Sequence, residues 1–528
     1  MSIVLFLFVM GLLLAGYIFY GNYLSGIFSL NDDRKTPAHT KYDGVDYVPA
    51  KNWLIIFGHH FASIAGAGPI IGPVLAYIWW GWLGSLIWIV VGTIFMGAVH
   101  DFSTLVISVR EKGCSIGQVA EKYISKRASI LFLIFLWFAL IIVIAVFAAI
   151  CAKSFIKQPE VVVSSLGLIP VAVLTGFLIY KLRINLIIAT VFGVLCMAGL
   201  IFLGQAFPLS LGVSNPYMVW LIILFVYAFF ASILPVQVLL QPRDYLSSFL
   251  LFFGILAAAI GLFTRPLSLE GANLITFHHP QAGFIFPIMF ITVACGAISG
   301  FHSLVSSGTT SKQLGKETDA KRVGYGGMIL EGALATIVLF AVAFGLKTIP
   351  QGVSEPAEIF SLGFAKVTYF LGDYGKFIAL VILNAFILTT LDTATRITRF
   401  LTQELCKVNN KWLATILVIV TAGYLALMNK WQMLWPVFGA SNQLVAGLAL
   451  IVVSGWLFCK GKKYLFAFIP ANIMIIITIF ALGFKISDFY QKKDYTLCIV
   501  SAVLIVFAVF SVLEFRRMTK CRVKKQIS

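Results

Sequence analysis

Charge is scarce in this chain. Only 11% of its 528 residues are charged, and acids are the rarest, 21 Asp and Glu against 39 Lys and Arg. So little charge cannot coat a soluble globule, and a 60% hydrophobic content with a mean hydropathy of +0.97 points the same way. The short alternating segments of a membrane barrel are absent as well. Eight cysteines stand at 114, 151, 196, 295, 406, 459, 498 and 521 with no CxxC pair, so free thiols are expected and a zinc site is not. The seven histidines form no clustered HxxHH boxes, which argues against a membrane metalloenzyme. Repeated pore loops and rings of like residues, the marks of a channel, are also lacking.

What the chain has is apolar length. Runs of about 20 apolar residues, enough to cross hydrocarbon, recur from end to end. The expected fold class is an all-α polytopic membrane protein with about fifteen transmembrane helices. The first span, 2–24, has no basic n-region and no small-x-small cleavage site, and reads as an anchor. The formal charge of +18 follows from topology and calls for no nucleic acid partner. Sorted onto alternate sides, most Lys and Arg fall on one, in Arg34 and Lys35, Arg110 to Arg127, Lys312 to Arg322, Lys460 to Lys463 and the tail Arg516 to Lys525. That side is expected to be cytoplasmic, with the N-terminus outside, the C-terminus inside and the tail against anionic membrane lipid. Trp79, Trp80 and Trp82 are expected to form an interfacial belt on the outer side.

The segment 53–77 is long enough to span, yet it holds His59, His60, Gly58, Gly66, Gly68, Gly72, Pro69 and Pro73. Proline removes a backbone donor and clashes with the preceding turn. In hydrocarbon the freed groups cost several kcal/mol unless protein or water satisfies them, so a helix broken there is a candidate binding site. A packing kink is the alternative. Gly66, Gly68, Pro69 and Gly72 are therefore candidate substrate-binding residues, their open N–H groups suited to a carboxylate. A second break is expected at Ser232, Pro235 and Gln237, inside a span at 217–240. Two interrupted helices, five spans apart and opposite in direction, fit a five-plus-five inverted repeat. The expected domains are an anchor and loop at 1–52, repeats at 53–204 and 217–395, and four further helices with the basic tail at 396–528.

Ionisable residues inside spans mark function by default. His59 and His60 are adjacent, so they point about 100° apart and cannot face one pocket. Together with Asp101, His302, Glu331 and Asp392 they fall in the inner half and form a candidate proton relay. Asp392 and Arg396, spaced i, i+4, are expected to pair on one helix face. Ser306, Ser307, Thr309 and Thr310, in a stretch dense in small and hydroxyl residues, are either helix packing or a candidate cation site.

These blocks carry a resemblance. The 53–78 segment with its GHHFASIAGAGPIIGP core, His100-Asp101-Phe102, the QPRDYLS at 241–247, the GFHSLVSSGTTSKQ at 300–313 and the TLDTATRITRF at 390–400 resemble the carbon starvation protein A (CstA) family. The resemblance covers most of 53–400. It implies a bacterial inner-membrane transporter of the amino acid–polyamine–cation superfamily, with a LeuT-like inverted-repeat core, induced when carbon is short. The implied activity is proton-coupled uptake of pyruvate or uptake of short peptides. The expected protein is thus a secondary active symporter, not an enzyme, importing a small carboxylate nutrient, with pyruvate favoured and di- and tripeptides second. It needs no cofactor. The proton is the favoured coupling ion, with sodium as the alternative.

Overall fold

Apolar runs without charge can satisfy their backbone in hydrocarbon only by closing it on itself, and the chain is helical almost throughout. The computed structural model describes residues 2–265, 267–428 and 431–527. Its helices are α1 (Ser2–Phe28), α2 (Trp53–Ile64), α3 (Gly68–Trp80), α4 (Trp82–Arg110), α5 (Lys126–Lys157), α6 (Glu160–Lys181), α7 (Leu186–Ala206), α8 (Pro216–Ile233), α9 (Leu240–Thr264), α10 (Ile285–Thr292), α11 (Gly300–Gly308), α12 (Lys321–Leu346), α13 (Tyr374–Cys406), α14 (Lys411–Leu427), α15 (Trp431–Cys459), α16 (Leu465–Gln491) and α17 (Tyr495–Ile527). Short helices at Ile116–Tyr123 and Pro356–Val367 lie in the connections. Most side chains of the expected basic tail, Arg516 to Lys525, lie outside the described residues.

Among the described residues, 12 helices are long and apolar enough to cross a membrane, and 13 if α2 and α3, bent by 40° at their junction, count as one. The expected number was about fifteen. The two expected segments that fall short are α14, with 17 residues, and 284–308, which divides into α10 and α11. The close pair α6 and α7 are separate helices, both long enough to span.

The break expected at Ser232, Pro235 and Gln237 is not one. Helix α8 ends at Ile233, and residues 234–239 form a turn leading into α9. Leu234 is extended, at φ −64° and ψ 151°, as the residue before a proline prefers. Pro235 therefore ends a span, and Gln237 Nε2 donates to Gly44 O at 3.4 Å. The second interruption lies instead at 293–299, between α10 and α11. The tryptophan belt is also corrected. Trp80 is fully buried and donates to Gly283 O at 3.0 Å, and Trp82 packs edge-on against Phe344. Only Trp79 keeps partial exposure at the surface.

The two interruptions meet in the core. A methyl group at Gly68 would overlap the Cys295 side chain, and one at Gly72 would come within 2.7 Å of Thr292 O. α3 packs on α10 and α2 on α11, so the interrupted pairs run antiparallel. The long spans α5 and α13 pack along each other beside them. At the end opposite the basic loops, residues 273–284 fold over α3, with Thr276 N donating to Trp80 O at 2.8 Å.

Candidate functional site

Backbone groups opened at the second interruption are met by side chains from other helices, as the membrane interior requires. Trp88 Nε1 donates to Val293 O at 3.1 Å, and Thr93 Oγ1 to Gly296 O at 3.0 Å. Asn442 of α15 receives the Phe301 N–H at 2.8 Å and donates to Ser299 Oγ at 2.9 Å, which caps α11 from outside its own sequence. At the first interruption Thr389 Oγ1 donates to Ala62 O at 2.7 Å, and Thr390 Oγ1 to Ser63 O at 3.3 Å. Gly66 has no room for a side chain, because Thr390 and Phe147 fill the space. The N-termini of α3 and α11 both lie at these interruptions, each the positive end of a helix dipole.

The adjacent histidines diverge as their 100° separation demands. His60 Nδ1 lies 2.9 Å from Thr310 Oγ1, and His59 Nδ1 lies 2.7 Å from Asp244 Oδ2. Each belongs to a different side of α2.

On the His60 side sits a cluster of acids and imidazoles. Asp101 Oδ1 receives His100 Nδ1 and its Oδ2 receives His302 Nδ1, both at 2.8 Å. His302 Nε2 lies 3.3 Å from Glu331 Oε2 without hydrogen-bond alignment, so neither Glu331 oxygen is bonded. All four residues are completely buried. Among the described residues no Lys or Arg is ion-paired to either carboxyl. Ser306 Oγ reaches Asp101 O at 3.5 Å. Ser307 and Thr309 donate to carbonyls of their own helix, Ser303 O and Val305 O, at 2.7 and 3.1 Å.

On the His59 side sits an ion network that the sequence reading missed. Arg243 forks onto Asp392, with Nη2 to Oδ1 at 3.0 Å, and onto Asp244, with Nη2 to Oδ1 at 2.7 Å. Tyr227 OH donates to Asp392 Oδ2 at 2.7 Å, and Ser63 Oγ to Asp244 Oδ2 at 3.4 Å. Asp392 therefore does not pair with Arg396. Arg396 turns the other way, to Asp46 Oδ1 at 2.8 Å. The i, i+4 spacing placed the two side chains on one face, but a guanidinium on another helix was better aligned. The available signal was the adjacent Arg243-Asp244 in an otherwise apolar span. Of the expected substrate residues, Gly66, Gly68, Pro69 and Gly72 lie at the paired interruptions, while Ser232, Pro235 and Gln237 lie at the basic end.

Paired interrupted helices around buried ionisable clusters, in a chain of at least a dozen membrane-long helices, define a multi-pass membrane transporter. The model for the family described as "Carbon starvation protein CstA" matches residues 1–361 and 345–481. The chain belongs to that family, whose named relatives are transporters and not enzymes. It is 32% identical to the peptide transporter CstA of Campylobacter jejuni, over 97% of this chain and 84% of that one. It is 34% identical to the peptide transporter CstA of Bacillus subtilis, over 84% and 83%. It is 30% identical to the pyruvate/proton symporter BtsT of Escherichia coli, over 91% and 82%. Among solved structures, MhsT in complex with L-phenylalanine superposes with a TM-score of 0.52 at 12% identity, covering 88% of this chain and 99% of that one, which indicates a LeuT-like fold.

Proposed function

We propose that this protein is a proton symporter of the bacterial inner membrane that imports a small carboxylate, pyruvate first, with its basic side in the cytoplasm. The carrying observation is that one helical turn serves two sites. The N-terminus of α11 lies at the paired interruptions, where its dipole would favour a cargo carboxylate. Two residues further on, His302 joins Asp101 and Glu331. Cargo at the helix end and a proton on the cluster therefore act on the same half-helix. A negative cargo and a positive proton stabilise each other there, and neither binds as well alone.

The interruptions also support a revised five-plus-five core. Its first repeat would be α2/α3, α4, α5, α8 and α9, over 53–264. Its second would be α10/α11, α12, α13, α14 and α15, over 285–459. The hairpin α6–α7 is then an insertion, which displaces the boundaries 53–204 and 217–395. Each repeat opens on an interrupted helix and carries its longest helix third.

Labelled pyruvate uptake into proteoliposomes, with and without an inward proton gradient, tests the reading. Accumulation only with the gradient is expected, and uptake indifferent to it removes proton coupling. Replacing sodium by choline in the same vesicles tests the sodium alternative at Ser306, Ser307, Thr309 and Thr310. Short peptides are the second reading, favoured by the relatives named peptide transporters at 32–34% identity. Unlabelled dipeptides against labelled pyruvate rank the two. Orientation is read from Cys406, exposed at the basic end of α13. An impermeant maleimide should label it in inverted vesicles and not in intact cells.

A further inference from the structure

The basic end of the molecule is closed by a strap, residues 43–50, that leads directly into the half-helix α2. Asp43 starts it. Its Oδ1 receives the N–H groups of Val45, Asp46 and Tyr47 at 2.8, 2.9 and 2.9 Å, which folds the strap into a tight turn. The strap then crosses the ends of three spans. Val45 O receives Val236 N at 3.1 Å, Tyr47 OH donates to Gly113 O at 3.5 Å, and Ala50 N donates to Gln313 O at 3.0 Å.

Under the strap lie three cations from two elements. Arg396 is completely buried. It donates from Nη1 to Asp46 Oδ1 at 2.8 Å and from Nη2 to Ala231 O at 2.9 Å, and it also holds Leu234 O. Arg399, one turn on, is 2% exposed, and its nearest acid oxygen, Asp46 Oδ2, is 3.8 Å away. Its Nε and Nη2 have no hydrogen-bond partner. Lys312 Nζ stands 4.0 Å from the centre of the Phe400 ring and 5.4 Å from that of Tyr47. Burial pulls the Lys312 amine down to about 8, with Arg399 and Arg396 pushing the same way against Asp46 and Asp43. The acid next to Arg399 is thus Asp46, already committed to Arg396, while Asp43 and Glu404 act on Lys312 at longer range, and three buried guanidinium nitrogens, Arg396 Nε and Arg399 Nε and Nη2, are unmet. A buried donor without an acceptor is costly, more so on a charged group. Pure gating would be served by one arginine and one aspartate. The unmet donors of Arg399, whose guanidinium otherwise rests 4.3 Å from the centre of the Phe400 ring, call for an acceptor, and a carboxylate matches that fork best.

We propose that Arg396, Arg399 and Lys312 form a carboxylate-binding site at the inner mouth, where Asp46 is the resident carboxylate and an arriving cargo carboxylate takes its place. The exchange frees the strap, and with it the start of α2, on the way to release. The identity of the ligand as cargo rests on the carboxylate-import reading above. The site itself rests on the unmet donors of Arg399. As a tethered competitor Asp46 acts at an effective concentration on the order of millimolar, so it holds the mouth shut until cargo arrives at a comparable level.

The test uses the full-length protein in proteoliposomes, with pyruvate presented to each face in turn. Removing the tethered competitor in Asp46→Asn should lower the inner-face KM roughly tenfold and leave the outer-face KM within about twofold. Arg399→Gln removes charged donors and should raise the inner-face KM about tenfold, again with the outer face spared. Asp46→Glu should restore the wild-type inner-face value and excludes misfolding as the cause. An unchanged inner-face KM in Asp46→Asn, or equal shifts on both faces, overturns the proposal in favour of a simple ion-pair latch. A second arm needs no transport. Propionate added to the purified full-length protein should raise the melting temperature of Asp46→Asn at lower concentration than that of the wild type, and Asp46→Asn/Arg399→Gln should not respond. A protein that carries neither pyruvate nor peptides but keeps this propionate response refutes the cargo reading and not the site. No difference between Asp46→Asn and the double variant refutes the site.

Discussion

Glu331 is the residue whose surroundings say most. Both carboxyl oxygens are buried and unbonded, with an imidazole nitrogen at 3.3 Å and, among the described residues, no Lys or Arg paired to it. Glu331→Gln keeps the shape and removes the exchangeable proton. Gradient-driven accumulation of cargo should fall at least about tenfold, while exchange of cargo across the membrane, which moves no net proton, persists. Loss of exchange as well would make Glu331 a structural residue. Lys312 makes a second prediction, from its amine held near 8 against an ordinary 10.5. Between those values the unfolded chain binds a proton that the folded protein does not, so this group makes stability rise with pH there. Below about 8 both states are protonated, the cost of the buried charge is fully present, and the term is flat. The groups around the amine are Asp43, Asp46, Glu404, Arg396 and Arg399, with the rings of Tyr47 and Phe400. Melting curves from pH 7.5 to 9.5 should show wild type gaining on Lys312→Met as pH rises. A constant gap, or a gap moving the other way, refutes the depressed amine. At this scale the sequence was a fair guide. Charged and imidazole side chains inside spans announce themselves, and His59, His60, Asp101, His302, Glu331 and Asp392 all lie in buried polar networks. Their pairings were not legible, because the geometry that gives Asp392 to Arg243 and Arg396 to Asp46 is made by helices far apart in sequence.

At the scale of elements, one interruption was legible and the other was not, for a physical reason. The first is written in prolines and glycines, whose effect on the backbone is local. The second, 293–299, has no proline, and its open carbonyls and N–H groups are held by Trp88, Thr93 and Asn442 from elsewhere in the chain. An interruption stabilised by tertiary contacts leaves only a trace in its own sequence, here the small residues Ala294, Cys295, Gly296, Ala297 and Ser299. Conversely, Pro235 looked like a break and proved to be the end of a span, since a proline marks a stop without saying whether the chain goes on in line. The interruptions touch so closely that a single methyl group is a test. Gly68→Ala drives a Cβ into the Sγ and Cβ of Cys295, whose own backbone stands 3.8 Å away. Overpacking of this kind costs about 1–3 kcal/mol, and the two half-helices would be wedged apart. The expected result is a protein with lowered melting temperature and little transport, partly rescued by Cys295→Gly, which empties the space the new methyl needs. A Gly68→Ala protein with wild-type melting temperature and transport would show that the contact between the interruptions is loose.

At the scale of the whole molecule, α2 is the element that every network shares. Its His60 face meets Thr310, just past the end of α11, and lies beside the acid–imidazole cluster, and its His59 face meets Asp244 on α9, which Arg243 ties to Asp392 on α13. The Arg243 network therefore fastens the half-helix α2 to the long helix α13 that packs along α5. One guanidinium there compensates two buried carboxylates. Removing it leaves them uncompensated, which in buried ion pairs costs about 3–5 kcal/mol. Arg243→Gln should accordingly melt far below wild type. Asp392→Asn alone should cost less, because Arg243 keeps Asp244. The decisive variant carries both changes. Once Asp392 no longer needs a counter-ion, the loss of Arg243 is felt by Asp244 alone, and His59 beside it is positioned to share that charge. Arg243→Gln/Asp392→Asn should then recover roughly half of the melting-temperature loss of Arg243→Gln, a coupling between contacting groups that independent sites do not show. Strictly additive losses would mean that the network is a set of separate contacts and does not bind α2 to α13 as a unit. Transport in the double variant separates fastening from function: if the network serves only to hold α2, recovered stability brings recovered uptake, and if α2 must be released from it in each cycle, uptake stays low while the protein is stable again.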